Sequence, residues 1–190
     1  VPGSGGKDSV FTAHILKYKY NMNPLTVTWS PHVYTDIGFS NFQKWIHSGL
    51  DNILTTPNGE LHRLLTKLAF ENLVHPFQPF IHGQKIIGPK IAKQLNIPLV
   101  IYGENQAEYG NKLEDNLSHY MNNQFFSVED DFNFKDIKFG GKSVQSIIDA
   151  LDITESELSS APRFRSISHF LANISPTEIT MISECFAFPT

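Results

Sequence analysis

The chain has 190 residues, 18% of them charged and 41% hydrophobic, with a formal net charge of −4. That length suffices for one core with a small extension, and the charge balance gives no basic footprint for nucleic acid. The sequence shows no secretory signal and no apolar run of the roughly 18 residues that span a membrane, so we expect a cytoplasmic protein. Cys185 is the only cysteine, which excludes a disulfide framework and a multi-cysteine metal or redox site within this sequence.

A glycine-rich turn, Ser4-Gly5-Gly6-Lys7-Asp8-Ser9, lies almost at the start of the chain. Adjacent glycines permit positive φ and let a ligand come close to the backbone. The spacing of Phe11, Ile15 and Tyr18 predicts a helix from Asp8 onward with these side chains along its apolar face. The first N–H groups of such a helix lack intrahelical partners, so an anion is the natural ligand. We also expect a buried strand before a loop of this kind.

Two common phosphate-binding motifs do not fit this turn. A Walker A loop needs glycine where Val1 stands and Ser or Thr where Asp8 stands, and a dinucleotide fingerprint that begins at Gly3 needs glycine at Asp8. The remaining pattern, Ser-Gly-Gly-x-Asp-Ser, resembles the signature of the ATP pyrophosphatase (PP-loop) superfamily. Members of that superfamily hold the pyrophosphate of ATP and transfer AMP to an oxygen of a second substrate. The alternative is a glycine-rich turn that binds nothing.

The next segments alternate between strand and helix patterns. Strands are predicted at residues 25–29, 52–56 and 99–102. A helix is predicted at residues 36–48, with the side chains of Ile37 and Trp45 facing the core. Two further helices are predicted from apolar stripes of helical spacing. The stripes consist of Leu61, Leu64, Leu65, Leu68 and Ala69, and of Ile87, Ile91 and Leu95. This alternation predicts an α/β fold with an open parallel sheet flanked by helices.

We expect residues 1–111 to form the core, whose first strand would precede Val1. Residues 112–190 are expected to form a small, mostly helical extension. Within the extension, a helix is predicted to begin near Val144 and a strand at residues 179–183. Ligands of open parallel sheets bind beyond the carboxyl ends of the strands. Three segments are therefore predicted to converge: the loop at Ser4, the strand end at Thr28 and Trp29, and the segment that begins at Gly103.

Two segments carry a closer resemblance. Residues 76–85, Pro-Phe-Gln-Pro-Phe-Ile-His-Gly-Gln-Lys, and residues 102–111, Tyr-Gly-Glu-Asn-Gln-Ala-Glu-Tyr-Gly-Asn, resemble the N-acetyl sugar amidotransferase family of surface-polysaccharide biosynthesis, and most closely its branch named for pseudaminic acid biosynthesis. Phe139-Gly140-Gly141 fits the same family. Many relatives carry cysteine where this chain has Phe77 and Phe80, which speaks against a metal or redox role there. An alternative for these two side chains is a rigid Pro-Phe loop packed against a core.

The resemblance implies an enzyme of the PP-loop (adenine nucleotide alpha hydrolase-like) fold that uses ATP and Mg²⁺. It would convert an acetamido group of a bacterial sugar to acetamidino, in lipopolysaccharide O-antigen or pseudaminic or legionaminic acid biosynthesis. The implied ATP-binding residues are Ser4, Gly5, Gly6, Lys7, Asp8, Ser9, Thr28, Trp29 and Gly103. The implied catalytic residues are Lys7 and Asp8, and Asp8 also helps to hold Mg²⁺. Glu104 and Asn105 are predicted to be catalytic because they follow a buried strand opposite the phosphate loop; the alternative is a surface loop with solvated charges. The implied substrate-binding residues are His82, Gln84, Lys85, Glu108 and Tyr109.

The source of ammonia is predicted to lie outside this chain. A glutaminase ordinarily uses a cysteine paired with histidine, and no recognisable nucleophile motif surrounds Cys185. The resemblance implies a separate glutaminase subunit, and we expect free ammonium to substitute for it; a homo-oligomer is also compatible with the sequence. Three alternatives stay open: another PP-loop ATP pyrophosphatase that makes an amide or modifies tRNA, a non-catalytic adenine-nucleotide sensor, and a scaffold that binds no ATP.

Overall fold

The computed structural model describes residues 1–103, 138–150 and 180–182. The helices are α1 (Lys7–Tyr18), α2 (Asp36–Ile46), α3 (Gly59–Leu73), α4 (Gln78–Gln94) and α5 (Val144–Ala150). The strands are β1 (Thr26–Trp29), β2 (Asn52–Thr55), β3 (Leu99–Ile101), β4 (Lys138–Phe139), β5 (Lys142–Ser143) and β6 (Thr180–Ile182). This mixture of helices and short parallel strand pairs is compatible with the predicted α/β class. Across these ranges, no helix is both long enough and apolar enough to cross a membrane.

The described strands pair two by two. β1 pairs with β2 and β3 pairs with β6, both in parallel, whereas β4 and β5 form an antiparallel hairpin. β1 is bonded on its other edge as well, because residues 1–3 run parallel to it through a bridge between Pro2 and Val27. The predicted strands at residues 25–29, 52–56, 99–102 and 179–183 are thus confirmed with slightly different bounds. A single open sheet that joins the parallel pairs stays a prediction.

The chain divides into two compact units. The first contains residues 1–56, 87–103 and 180–182 of the described chain, and the second contains residues 57–86 and 138–150. In the first unit, Ala13 of α1 packs with Phe42 and Trp45 of α2, all three being buried. Alanine has a small side chain, which lets two helices pack closely at that point. This cluster packs the middle of α1 against α2.

The structure corrects the predicted faces of α1 and α2. Phe11 is 42% exposed and Tyr18 is 68% exposed, while the buried residues of α1 are Thr12, Ala13 and Leu16. In α2, Trp45 is buried as predicted, but Ile37 is 76% exposed. Both helices form where the periodicity predicts them, but the predicted buried face is wrong for α1 and only partly right for α2.

Helix α4 also differs from the sequence prediction. The helix begins at Gln78, so residues 78–85 are helical and the rigid Pro-Phe loop is wrong; Phe77 itself is exposed. Pro79 is compatible with this because a first-turn residue needs no N–H partner within the helix. The stripe that begins at the buried Ile87 does not extend to Leu95, which lies beyond the helix end and is exposed.

The second unit is built on α3. Asn58 caps this helix by accepting hydrogen bonds from the backbone N–H groups of Glu60 and Leu61, and Leu65 and Ala69 are buried as the apolar stripe predicts. The β4–β5 hairpin turns through Gly140 and Gly141, both with positive φ, as a type I′ turn requires. A Cβ atom at Gly140 would lie 2.7 Å from the backbone nitrogen of Ala69, so the turn packs directly on α3.

Candidate functional site

The glycine-rich loop follows an extended segment that is bonded to β1. Val27 donates to the carbonyl oxygen of Val1 at 3.0 Å, and Gly3 donates to the carbonyl oxygen of Val27 at 2.9 Å. The two segments are parallel, so the loop leaves from the edge at which β1 ends. The extended residues occupy the place of the strand expected before the loop.

The glycines of the loop meet different steric demands. Gly5 has φ +90°, and a Cβ atom there would lie 2.6 Å from the carbonyl oxygen of Asn41 in α2. A Cβ atom at Gly3 would collide with the side chain of Ser9. Gly6 has φ −68°, and a Cβ atom there would meet no atom of the described residues within 4 Å. The fold therefore requires Gly3 and Gly5, whereas at Gly6 it leaves open space in front of the backbone.

The backbone N–H donors at the start of α1 receive no hydrogen bond from a capping side chain. Side chains cap α2 and α3 at Thr35 and Asn58, but Gly6 at the start of α1 has no side chain that could accept. The hydroxyl of Ser9 donates to the carbonyl oxygen of Gly6 at 3.0 Å instead of accepting from an N–H. Within the part of the chain that the structure describes, the N–H groups of residues 4–9 have no hydrogen-bond partner. Such a run of donors at a helix start favours an anion.

The charged residues of the loop face solvent. Lys7 and Asp8 are both exposed, so the lysine is available to an anion and the carboxylate is available to a cation that accompanies it. Among the described residues, no group of three or more His, Cys, Asp or Glu could hold a metal ion. Asp8 alone fits Mg²⁺ only together with phosphate oxygens and water, which is the usual way in which this ion is bound with nucleotides.

A groove of about 460 Å³ lies between α1 and α2 and begins at the loop. Its lining includes Lys7, His14 and Lys17 on α1 and Lys44 on α2, and it includes no acidic residue. Lys17 also donates to the carbonyl oxygen of Gly49 at 2.9 Å. The volume lies within the range typical of small-molecule sites, and the charge favours an anionic occupant.

Thr28 supports the loop from beneath. Its side chain is fully buried, and its hydroxyl donates to the carbonyl oxygen of Gly3 at 2.7 Å. The same oxygen lies 3.3 Å from the donor Trp45 Nε1 and 3.2 Å from the donor Asn52 Nδ2. Trp29, the next residue, is partly exposed at the end of β1. The Thr28 side chain thus acts on the backbone of the loop.

Gly103 packs against the first turn of α1. A Cβ atom there would lie 2.6 Å from the carbonyl oxygen of Asp8 and 2.7 Å from the hydroxyl oxygen of Thr12. Only glycine fits so close to this backbone. The structure therefore brings together the loop, the end of β1 and Gly103, as the sequence analysis predicts. Glu104, Asn105, Glu108, Tyr109 and Cys185 lie outside the described residues.

The other predicted substrate-binding residues lie on α4 in the second unit. His82 is half-buried, and burial, with smaller contributions from the charges of Lys85 and His75, lowers the pKa of its imidazole below its ordinary value of 6.5. Gln84 is exposed and Lys85 is half-buried. A neutral imidazole at physiological pH can donate or accept a hydrogen bond. The role of these three residues in substrate binding stays a prediction.

Sequence reasoning missed the residues that support the loop. Asn41 and Trp45 pack against Gly5, and Thr12 packs against Gly103. Trp45 was predicted to face inward, but a periodic pattern identifies a buried face without identifying its neighbours. A tryptophan whose N–H must find a buried partner is the one signal that the sequence offers.

Comparison with protein-family models and with curated proteins finds no match to this chain. Function is therefore inferred from the loop, its surroundings and the sequence segments that resemble the amidotransferase family.

Proposed function

We propose that the chain is an ATP-dependent amidotransferase that releases AMP and pyrophosphate and converts the acetamido group of a bacterial surface sugar to acetamidino. The observation that carries the proposal is the run of N–H groups at residues 4–9, which have no partner among the described residues and border open space at Gly6. The resemblance of residues 76–85 and 102–111 supplies the substrate class. The proposed fold is the PP-loop type, with one open parallel sheet.

The reaction overcomes a poor electrophile in two steps. The amide oxygen attacks the α-phosphorus of ATP and forms a C–O–P linkage, while the bond from that phosphorus to the bridging oxygen of the β-phosphate breaks and pyrophosphate leaves. Ammonia then adds to the activated carbon and loses a proton. The C–O bond breaks, and AMP departs with the original amide oxygen.

Residues of this chain would stabilise the charge that develops on the leaving pyrophosphate. The N–H groups of residues 4–9 are fixed donors, and fixed donors stabilise charge without reorganising during the reaction. Lys7 adds a positive charge at the same place. When bound, Mg²⁺ supplies further neutralisation of the phosphate oxygens, and Asp8 is the residue that would help to hold it.

The residues proposed to bind the sugar that accepts AMP are inferred from the sequence. Glu104 follows the strand that ends beside the loop, and a carboxylate there is suited to orient ammonia or accept its proton. Asn105, Glu108 and Tyr109 are proposed for the same side. Ammonia would come from a separate glutaminase subunit or from free ammonium.

Another PP-loop ATP pyrophosphatase, or a nucleotide sensor, would use the same loop geometry. The segments at residues 76–85 and 102–111 favour the sugar amidotransferase, since amide-forming and tRNA-modifying members are not expected to share them.

The test is pyrophosphate release from MgATP in ammonium chloride, with a panel of N-acetyl sugars in free, CMP-linked and UDP-linked forms. The proposal predicts release that depends on one sugar, with a product in which NH replaces oxygen. ¹⁸O placed in the acetamido group should appear in AMP. ATP binding without sugar-dependent release would favour another pyrophosphatase or the sensor.

A further inference from the structure

A buried network of polar side chains lies beneath the loop. Thr26 and Thr28 are both fully buried and lie on the same face of β1, two residues apart. The Asn52 amide nitrogen donates to Thr26 Oγ1 at 2.8 Å and to Thr28 Oγ1 at 3.2 Å. Trp45 Nε1 lies 3.3 Å from Thr28 Oγ1. The buried hydroxyls of Thr26 and Thr28 therefore both have defined hydrogen-bond partners.

The partners of Thr28 fix the direction of its proton. A hydroxyl has one donor and two acceptor positions. Trp45 Nε1 and the Asn52 amide nitrogen can only donate, so together they take both acceptor positions of Thr28. The Thr28 proton is left for the carbonyl oxygen of Gly3, at 2.7 Å.

Fixing this carbonyl also fixes the next N–H. In a planar trans peptide the C=O of one residue and the N–H of the next point in opposite directions. Because the Gly3 oxygen points toward Thr28, the Ser4 N–H points away from β1. Ser4 is the first residue of the run whose N–H groups have no partner within the described chain.

We propose that Thr28 is a positioning residue for the loop: its buried hydroxyl, oriented by Trp45 and Asn52, holds the Gly3 carbonyl and aims the Ser4 N–H at the anion. In identifying that anion as a phosphate of ATP, the inference rests on the proposed function. Thr28 itself acts through the backbone and touches no ligand.

The chain offers a matched control in Thr26. Its hydroxyl is equally buried on the same strand and bonded to the same Asn52 amide, but it donates to the carbonyl oxygen of Asp51 at 2.8 Å and, among the described residues, makes no hydrogen bond to the loop. Thr28→Val and Thr26→Val therefore remove the same group, a buried hydroxyl, from two positions of the same hydrogen-bond network. Thr28→Ser keeps the hydroxyl and serves as the rescue variant.

The first measurement needs no ligand. ¹⁵N relaxation of the Ser4 amide should give an order parameter of about 0.85 in wild type, Thr26→Val and Thr28→Ser, and below about 0.6 in Thr28→Val. Equal order of the Ser4 amide in folded Thr28→Val and Thr26→Val would overturn the positioning role, whatever the protein binds. If Thr28→Val does not fold, Thr28→Ala and Thr26→Ala replace the pair.

The second measurement is the affinity of each variant for MgATP, by titration calorimetry. Thr28→Val should bind at least about tenfold more weakly than Thr26→Val, with recovery in Thr28→Ser. Equal affinities in the two valine variants would overturn the inference. A wild-type protein that binds no ATP would remove the proposed function, and the relaxation comparison would still decide the role of Thr28.

Discussion

Gly5 and Gly6 are neighbours in the loop, yet different forces act on them. Gly5 is held at positive φ against the backbone of α2, so its requirement for glycine comes from the fold. Gly6 has an ordinary φ, and none of the described residues lies in front of it, so packing within this part of the chain does not explain glycine there. A ligand that comes close to the backbone does explain it.

Replacement of Gly6 by alanine tests this difference. We expect Gly6→Ala to fold and to lose about 1 kcal/mol of unfolding free energy or less, because alanine is a poorer N-cap than glycine. Its affinity for MgATP should fall at least about tenfold, since the methyl group would occupy the space of a phosphate. Urea unfolding and titration calorimetry measure the two quantities.

The matched control is Gly59→Ala at the first residue of α3, where a Cβ atom also meets nothing within 4 Å. This variant should bind ATP as wild type does. Equal ATP affinity in Gly6→Ala and Gly59→Ala would argue against a phosphate at Gly6.

Replacement of Gly5 by alanine should lower the free energy of unfolding. The positive φ disfavours an L side chain by about 1–2 kcal/mol, and the clash with the Asn41 carbonyl adds to it. We expect a loss of at least about 2 kcal/mol in urea unfolding. A Gly5→Ala protein as stable as Gly6→Ala would contradict the packing described for the loop.

His82 predicts a dependence of stability on pH. Its pKa is lowered in the fold, so below the ordinary value the unfolded chain takes up a proton that the folded chain resists. The His82 contribution is therefore fully present above pH 6.5 and declines as the pH falls toward the folded pKa. His82→Gln should show a shallower fall of unfolding free energy between pH 6.5 and 5, measured in urea. Identical pH slopes in the two proteins would refute this assignment.

Thr28 shows how far sequence reasoning reaches at single residues. Its position at the end of a predicted strand correctly places it beside the loop. Its fully buried hydroxyl depends on Trp45 and Asn52, which come from other elements, and no local pattern specifies that contact.

At the scale of elements, α1 and α2 show why a helix can be predicted more easily than its buried face. In α1 the aromatic stripe through Phe11 and Tyr18 competes with a stripe of smaller residues, and the smaller stripe is buried. A small residue allows the close contact between Ala13 and α2. Apolarity alone ranks the aromatic residues higher, so the sequence pattern favours the wrong face.

Two substitutions in α2 test the corrected face. Phe42→Ala removes a buried ring and should lower the unfolding free energy by about 3–5 kcal/mol. Ile37→Ala removes an exposed side chain and should change it by no more than about 0.5 kcal/mol. Chemical denaturation of both variants measures the difference, and an Ile37→Ala loss as large as that of Phe42→Ala would restore the original prediction.

The start of α4 was missed for a physical reason. Two prolines and two phenylalanines within residues 76–80 are typical of a loop, because proline is tolerated best in the first turn of a helix and disfavoured in its interior, where α4 nevertheless holds Pro89. Pro79 stands in that turn. That Pro79 lies in the first turn can be recognised only when the first residue of α4 is known.

At the scale of the molecule, the two compact units are interleaved along the chain. Strand β6, from the far end of the sequence, pairs with β3 in the first unit. Pairing across such a separation has no local signal, because periodicity reports only which residues share a face. The boundary predicted near residue 111 and the helical nature of the extension stay predictions.

The whole-molecule proposal joins a loop that the structure describes to a chemistry that the sequence suggests. The donors at residues 4–9, the packing of Gly103 on α1 and the support by Thr28 belong to one unit. They support the proposed anion site, and the proposed acceptor rests on the segments that resemble the amidotransferase family.

The most direct test of the central claim is a titration of ¹⁵N-labelled protein with MgATP, followed by the backbone amide resonances. We predict saturable shifts centred on the amides of residues 4–9, with inorganic pyrophosphate perturbing the same amides. Saturable ATP binding that leaves these amides unchanged, or no binding at all, would contradict the assignment of this loop as the phosphate site.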